Sequence, residues 1–408
     1  MKIGILTYHS VYNFGANLQV YSTVGYLKNN GFDPIVINWM PADLEARSNR
    51  IVSPIQADAH NKFVKNYLPC TEICRTDSDI IKVIENEDIQ VIINGSDAIL
   101  QHKTFLSRIN LSKKGITIGK NPGTDVLFPN PFWGSFISGL NRKIPIVIMS
   151  ASTQNTEFYF IKGRLRKQMK KSLHKFTSIS VRDSWTREMI KYLTEGEIVP
   201  QITPDPVFAY NQNIKEQYSK DEILKIFNLP ENYILFSFRG PNVVSREWLN
   251  SFQLLAEKNK LSCVALTGPG GILFDHPFSL TVKSPLKPQE WYGLIKYSSA
   301  YIGEQMHPII IALHNKIPFY SFDYYGIVRF KYFVNLGSSK IHDILSFAGF
   351  LKNSINMLGK GTRCPSPEVV FQKISEFDLS KCNLFRINQL ERYNSMMKSV
   401  TESHFRAD

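Results

Sequence analysis

Cysteine is scarce: Cys70, Cys74, Cys263, Cys364 and Cys382 are odd in number and form no CxxC pair. That excludes a disulfide framework as the organising device and fits free thiols in a reducing compartment. No His, Cys, Asp and Glu cluster stands at metal-ligand spacing, so no metal is expected. Nowhere do about 18 apolar residues run without interruption, which excludes a hydrophobic spanning helix. Lys2 leads straight into "IGILTY" with no apolar signal core, and the expectation is a soluble, cytoplasmic protein. Internal repeats and low-complexity segments are also missing. Acid is in short supply, 35 Asp plus Glu against 48 Lys plus Arg, for a formal charge of +13. Such a field attracts acidic small molecules, anionic lipid or nucleic acid. No nucleic-acid recognition motif accompanies it, and no nucleic-acid partner is expected.

What is present is an alternation of apolar runs and helical spacings. "KIGILTY" reads as a buried strand, and the helix after it has Leu18, Tyr21, Val24 and Leu27 at helical spacing with Gly31 closing it. "DPIVINW" resumes a strand, completing a unit whose natural product is a parallel pair with a right-handed crossover. "DIQVIINGSD", "KIPIVIMSAS" and "TSISVRD" repeat the rhythm. After the polar, proline-bearing passage "PDPVFAYNQNIKEQYSKDE", read as a linker, come "NYILFSFRG", "LSCVALTGPGG", "AYIGEQ" and "KIPFYSFD", with helical segments near 245 to 259, 288 to 298 and 306 to 315. The 408 residues divide into an α/β domain 1–211, a second α/β domain 212–366 and a helical tail 367–408. Two doubly wound domains facing each other across a cleft is the simplest architecture these patterns allow.

In open parallel sheets ligands sit beyond the carboxyl ends of the strands. The first domain places Tyr8, His9, Asn13, Gly15, Ser96, Asp97, Ser150, Ser152, Arg182 and Asp183 there. Gly15 in "YHSVYNFGANLQ" would let the backbone approach a ligand, or serves only turn chemistry. Asn13 and Asn17 bring hydrogen bonds but neither acid nor base. Arg182 reads as a fork for an anion or as the partner of a nearby acid, and Asp183 as the cap of the following helix. Arg239 holds the equivalent strand-end position in the second domain. His307 precedes Pro308, which suits a first helical position, so the histidine is expected at or near the cap beside the positive helix end. His314 falls near the other end, where a histidine interacts favourably with the dipole. From Lys162 to Lys175 seven Lys or Arg occur without an acid, over an apolar stripe of Leu165, Met169 and Leu173. This basic amphipathic helix is either a solvated face or a dock for anionic membrane at its inner surface.

Taken together, "GILTYHSVYNFGANLQVYS", "VIINGSDAIL", "SVRDSW", "PDPVFAY" and "GEQMHPIIIALHNKIPFYSFDYYG" resemble the polysaccharide pyruvyltransferase family, in order from Lys2 to about Tyr332. The resemblance implies two Rossmann-like domains in a GT-B-like arrangement, the first on the acceptor side and the second on the donor side. It implies phosphoenolpyruvate as co-substrate with no further cofactor, a sugar acceptor that can be lipid-linked, and a pyruvate ketal in exopolysaccharide, capsule or cell-wall biosynthesis. His307 stands at the histidine of the family's Arg-Leu-His motif and Arg182 at the arginine of its Arg-Asp motif, implying catalytic and donor-holding roles. Arg239 and Gln305 join them on the donor side, with His9, Asn13, Gly15, Asn17 and Asp97 as acceptor-side or loop residues. Gln305 departs from the family, which has arginine there, losing a charge and a fork of donors. Two other readings share the cleft: a glycosyltransferase using a nucleotide sugar, and a non-catalytic scaffold of glycan assembly.

Overall fold

A computed structural model describes residues 1–112, 115–239, 243–268, 270–329, 333–359 and 361–402. Strands β1 (Lys2–Leu6), β2 (Asp33–Val36) and β3 (Val91–Asp97) open the first domain. A hairpin of β4 (Ile109–Ser112) and β5 (Gly115–Ile118) follows, then β6 (Ile146–Ala151), β7 (Ser178–Val181) and β8 (Gln201–Ile202). The second domain holds β9 (Tyr233–Ser237), β10 (Ser262–Leu266), β11 (Leu280–Val282), β12 (Ala300–Gly303) and β13 (Phe319–Asp323). After them come a hairpin of β14 (Ile327–Arg329) and β15 (Phe333–Asn335), and β16 (Ser354–Asn356). The hairpins are antiparallel. Both large sheets are parallel, ordered β2-β1-β3-β6-β7-β8 and β11-β10-β9-β12-β13-β16.

Burial explains the continuous apolar runs, because a parallel sheet is covered on both faces. Ile3, Ile5, Val91, Ile93, Val147 and Met149 pack in one layer of the first domain. Leu6, Ile92, Ile146 and Ile148, their alternates, pack in the other. In the second domain Tyr233, Leu235, Val264 and Leu266 enter one core and Ile234, Phe236, Cys263 and Ala265 the opposite one. The domains are joined by shared packing as well as by chain. Phe14 and Leu18, from the helix Phe14–Asn29, enter the second domain's core, and Phe14 stacks on Trp291 at 5.1 Å.

The described part of the segment 367–408 carries two helices, Pro367–Ser375 and Leu379–Thr401. Its helix Leu379–Thr401 buries Cys382 in the second domain and Tyr393, Met396, Met397 and Val400 against β1 and β3 of the first. Pro308 corrects one sequence expectation. The helix Met306–Asn315 takes Gln305 as its cap, which puts Pro308 third rather than first. It is tolerated because all of the first four N–H groups lack an intrahelical partner. His314 corrects another: it is 3% exposed, burial drives its pKa down to about 3, and as a neutral ring it makes no charge–dipole interaction.

Candidate active site

Each sheet reverses its strand order once, between β1 and β3 and between β9 and β12, and such switch points are where loops part to leave a crevice. The two crevices face each other. Together they form a cleft of about 1110 Å³ lined by Asn13, Gly15 and Asp97 from the first domain and Arg239, Gln305 and His307 from the second.

His307 sits on the first turn of the helix Met306–Asn315, with its ring against Gly15 at the start of the helix Phe14–Asn29 of the other domain. The contact is so close that a Cβ on Gly15 would lie 2.0 Å from Nδ1 of His307. Gly15 is therefore required by proximity and not by an unusual φ. Nε2 of His307 is 3.8 Å from Oδ2 of Asp205 and has no hydrogen-bond partner among the described residues. Burial pushes its pKa down to about 4; Asp205 pulls upward and Arg182 pushes further down. The resting imidazole is neutral near pH 7, hence a proton acceptor.

Behind His307 runs a buried charge network. The Arg182 guanidinium, 4% exposed, donates to Asp205 at 2.9 Å and to Asp97 at 3.1 Å. Burial alone would raise the Asp97 carboxyl, but Arg182, His307 and Lys340 outweigh it and hold it below the ordinary range. Asp97 also lies at φ 81°, a sparsely populated conformation for a non-glycine residue, and its side chain accepts from the Ala98 N–H at 2.8 Å. Asp205 also accepts from the Gln19 amide and from the Val207 N–H at 3.0 Å. Arg182 is thus occupied by two carboxylates, the second of the two roles its sequence position allowed. Asp183 caps the helix Ser184–Leu193 through the Thr186 N–H at 2.7 Å.

The opposite wall is cationic. Arg239 donates to the Tyr325 hydroxyl, and its guanidinium lies 5.4 Å from that ring's centroid; the Lys340 ammonium lies 4.6 Å from it. Neither Arg239 nor Lys340 has an ion-pair partner among the described residues. The helix Met306–Asn315 begins with no side-chain cap bond and no acid in its first turn, where its positive end lies; the nearest acid in sequence, Glu304, accepts from the Arg239 N–H. Gln305 Nε2, buried, is likewise without a partner. Unpaired buried donors in a cleft mark a place where something else supplies the acceptor.

Arg182, expected to hold the donor, does not line the cleft, and neither do His9 and Asn17. His9 is buried, with Nδ1 3.0 Å from the Thr7 carbonyl and Nε2 2.9 Å from Asn38 Oδ1. Asn17, also buried, donates to the His9 carbonyl at 2.7 Å and meets His60 Nδ1 at 2.7 Å. They hold the loop's shape from beneath. Asn13 does line the cleft, but its Oδ1 accepts from the N–H groups of Gly15 and Ala16, fixing the helix start. Asp205 was hidden inside an apparent linker, and an aspartate between two prolines, with its side chain free to cap, was the available signal. Lys340 lay in no motif.

The buried histidines give one prediction. Both nitrogens of His314 lack partners among the described residues, and burial holds its pKa at about 3, below the ordinary 6.5. The unfolded chain takes up that proton at 6.5 and the folded one resists it, so this stability is complete above pH 6.5 and is lost as pH falls toward 3. His314→Leu is expected to raise the thermal midpoint, more at pH 5 than at pH 8. A midpoint lowered at both pH values would contradict the assignment.

A family model described as polysaccharide pyruvyl transferase matches residues 13–325 of the chain. No curated protein matches it. Among solved structures, UDP-GlcNAc 2-epimerase from Neisseria meningitidis bound to UDP-GlcNAc is 9% identical over 100% of both chains, with a TM-score of 0.52. UDP-GlcNAc 2-epimerase from Methanocaldococcus jannaschii is 13% identical over 96% of this chain and 100% of its own, with a TM-score of 0.51. At such identities the likeness is one of fold: two parallel-sheet α/β domains in a GT-B-like arrangement.

Proposed function

Because the chain belongs to the polysaccharide pyruvyl transferase family, we propose that it transfers the pyruvyl group of phosphoenolpyruvate to two hydroxyls of one sugar, forming a pyruvate ketal and releasing phosphate. The observation carrying this reading is the convergence in one cleft of a neutral His307 whose Nε2 lacks a partner among the described residues, a helix end with no acid in its first turn, and two cations, Arg239 and Lys340, with no ion-pair partner among the described residues. A donor with both phosphate and carboxylate groups needs such a wall.

In the proposed reaction the methylene carbon of the enol takes a proton and becomes the methyl group, leaving an oxocarbenium-like carbon that a sugar hydroxyl attacks. The C–O bond to phosphate then breaks, and the second hydroxyl closes the ketal. Two hydroxyl protons are released; one balances the proton added to the methylene and one leaves on phosphate. With the donor's negative charge raising its proton affinity, His307 carries a proton that it delivers to the methylene carbon, and the neutral ring then accepts a proton from the attacking hydroxyl. Asp205 and Asp97 keep the resulting imidazolium from being isolated, while Arg182 holds both carboxylates in place. The first domain carries the sugar in the lobe around Tyr8, Gln154 and Asn155.

The test is incubation with phosphoenolpyruvate and a panel of glycan acceptors, read by mass. A gain of one pyruvate less one water supports the reading, whereas transfer from a nucleotide sugar alone points to a glycosyltransferase. Gln305→Arg restores the charge that the family carries at this position. It is expected to tighten phosphoenolpyruvate binding by about tenfold or more, the worth of a charge-assisted contact of roughly 1.5 to 3 kcal/mol. Calorimetry showing weaker binding by a folded variant would mean that Arg239 and Lys340 already fill the role.

A further inference from the structure

The basic helix Gly163–Leu173 divides its charge between two uses. Arg166, Lys170 and His174 turn to Glu195 and Glu197. Arg164, Lys167 and Lys171 are exposed, have no ion-pair partner among the described residues, and at spacings of three and four fall on one face. At the start of this helix Lys162 and Leu165 line a groove of about 630 Å³ together with Phe105, Leu106 and Phe160.

The chain continues from Leu106 into the β4–β5 hairpin. Phe105 is 59% exposed, Leu106 47%, Ile116 72% and Ile118 58%. Register sets Ile118 opposite Ile109 on the face that Ile116 shares. None of these side chains belongs to an apolar core cluster. Arg329 donates to the carbonyls of Leu106 and Ile109, and Arg108 to that of Gly119, so both strands are pinned at their base with the apolar face left uncovered. A two-stranded hairpin gains little stability by itself, and an apolar patch of this extent calls for a cover.

Charge identifies the cover. Among the described residues the groove is lined by Lys103, Arg108 and Lys162 and by no Asp or Glu, and it joins the active-site cleft through His102, Lys103, Arg108, Asn121 and Pro122. We infer that Phe105, Leu106, Ile116 and Ile118, with Lys162, Arg164, Lys167 and Lys171, form a docking surface for an anionic lipid bilayer, set beside the mouth of the cleft. The apolar side chains enter the headgroup boundary while the cations meet lipid phosphates, an arrangement that rests on the membrane without crossing it. No helix among the described residues is long and apolar enough to cross one. A nucleic acid would satisfy the charge but leave the apolar face bare. This inference is independent of the chemistry proposed for the cleft.

Full-length protein is sedimented with vesicles of phosphatidylcholine alone and of phosphatidylcholine with phosphatidylglycerol. Binding to the anionic vesicles is expected at low salt, with little to the neutral ones. Charge reversal by Arg164→Glu, Lys167→Glu and Lys171→Glu together should weaken it by about 100-fold or more, each basic residue near the surface contributing roughly fivefold. Phe105→Ser with Ile116→Ser should remove the binding that persists at high salt, where charge is screened. Circular dichroism checks that the variants fold. The proposal is overturned if wild type ignores anionic vesicles at low salt, if neither set of substitutions changes binding, or if a DNA duplex binds as tightly and the serine variant loses nothing.

Discussion

Replacing His307 with alanine is expected to reduce turnover by about 100-fold or more while leaving the fold intact, the usual worth of a positioned acid or base. The ring packs against Gly15 across the cleft and makes no hydrogen bond at Nε2 to the described residues, so its removal takes away no such bond from the fold. Gly15→Ala tests the same site from the other domain. The new Cβ would fall 2.0 Å from Nδ1 of His307, so either the ring or the domain must give way. A displacement of about 1 Å at a reacting group costs on the order of 100-fold in rate. The two variants should therefore lose turnover to a similar degree, and their combination little more. Loss of solubility by His307→Ala, or an active Gly15→Ala protein with unchanged turnover, would assign the contact to packing alone.

Arg182→Met carries the largest expected effect on stability. Arg182 is the shared counter-ion of Asp97 and Asp205; its guanidinium and Asp205 are buried, and Asp97 is only 14% exposed at the cleft. Removing one partner of such a network leaves uncompensated buried charge and costs about 3–5 kcal/mol, more than an exposed pair would. The loss should be read by denaturant unfolding at pH 7. Combining Arg182→Met with Asp97→Asn and Asp205→Asn should restore much of it, because no charge is then left unpaired. A single variant as stable as wild type would show that water reaches the network.

The strands and helices that position the cleft were legible because their apolar runs are long and buried on both faces, as in β3, β9 and β13. The edge strands β8, β11 and β16 were not, since two or three residues carry no periodicity of their own. The same distinction runs through the site. His307, Gly15, Asp97 and Arg239 were found because each stands at a strand end or helix start, where backbone geometry alone directs side chains to the crevice. Asp205 and Lys340 reach it by tertiary placement, one from the chain crossing between the domains and the other from a helix after the β14–β15 hairpin. His9 and Asn17 occupy the right loop, but the side on which each falls is decided by what packs beneath it, here Asn38 and His60.

The central claim is that the donor's anionic groups lie at the start of the helix Met306–Asn315, between His307 and the cations Arg239 and Lys340. The most direct measurement is a crystal structure with phosphoenolpyruvate bound. The account predicts its phosphate or carboxylate within hydrogen-bond distance of the Gln305 amide and the first-turn N–H groups, flanked by Arg239 and Lys340, with the methylene carbon near Nε2 of His307. Phosphoenolpyruvate bound elsewhere in the cleft, with His307 still facing Asp205 and Gln305 without a partner, would contradict it.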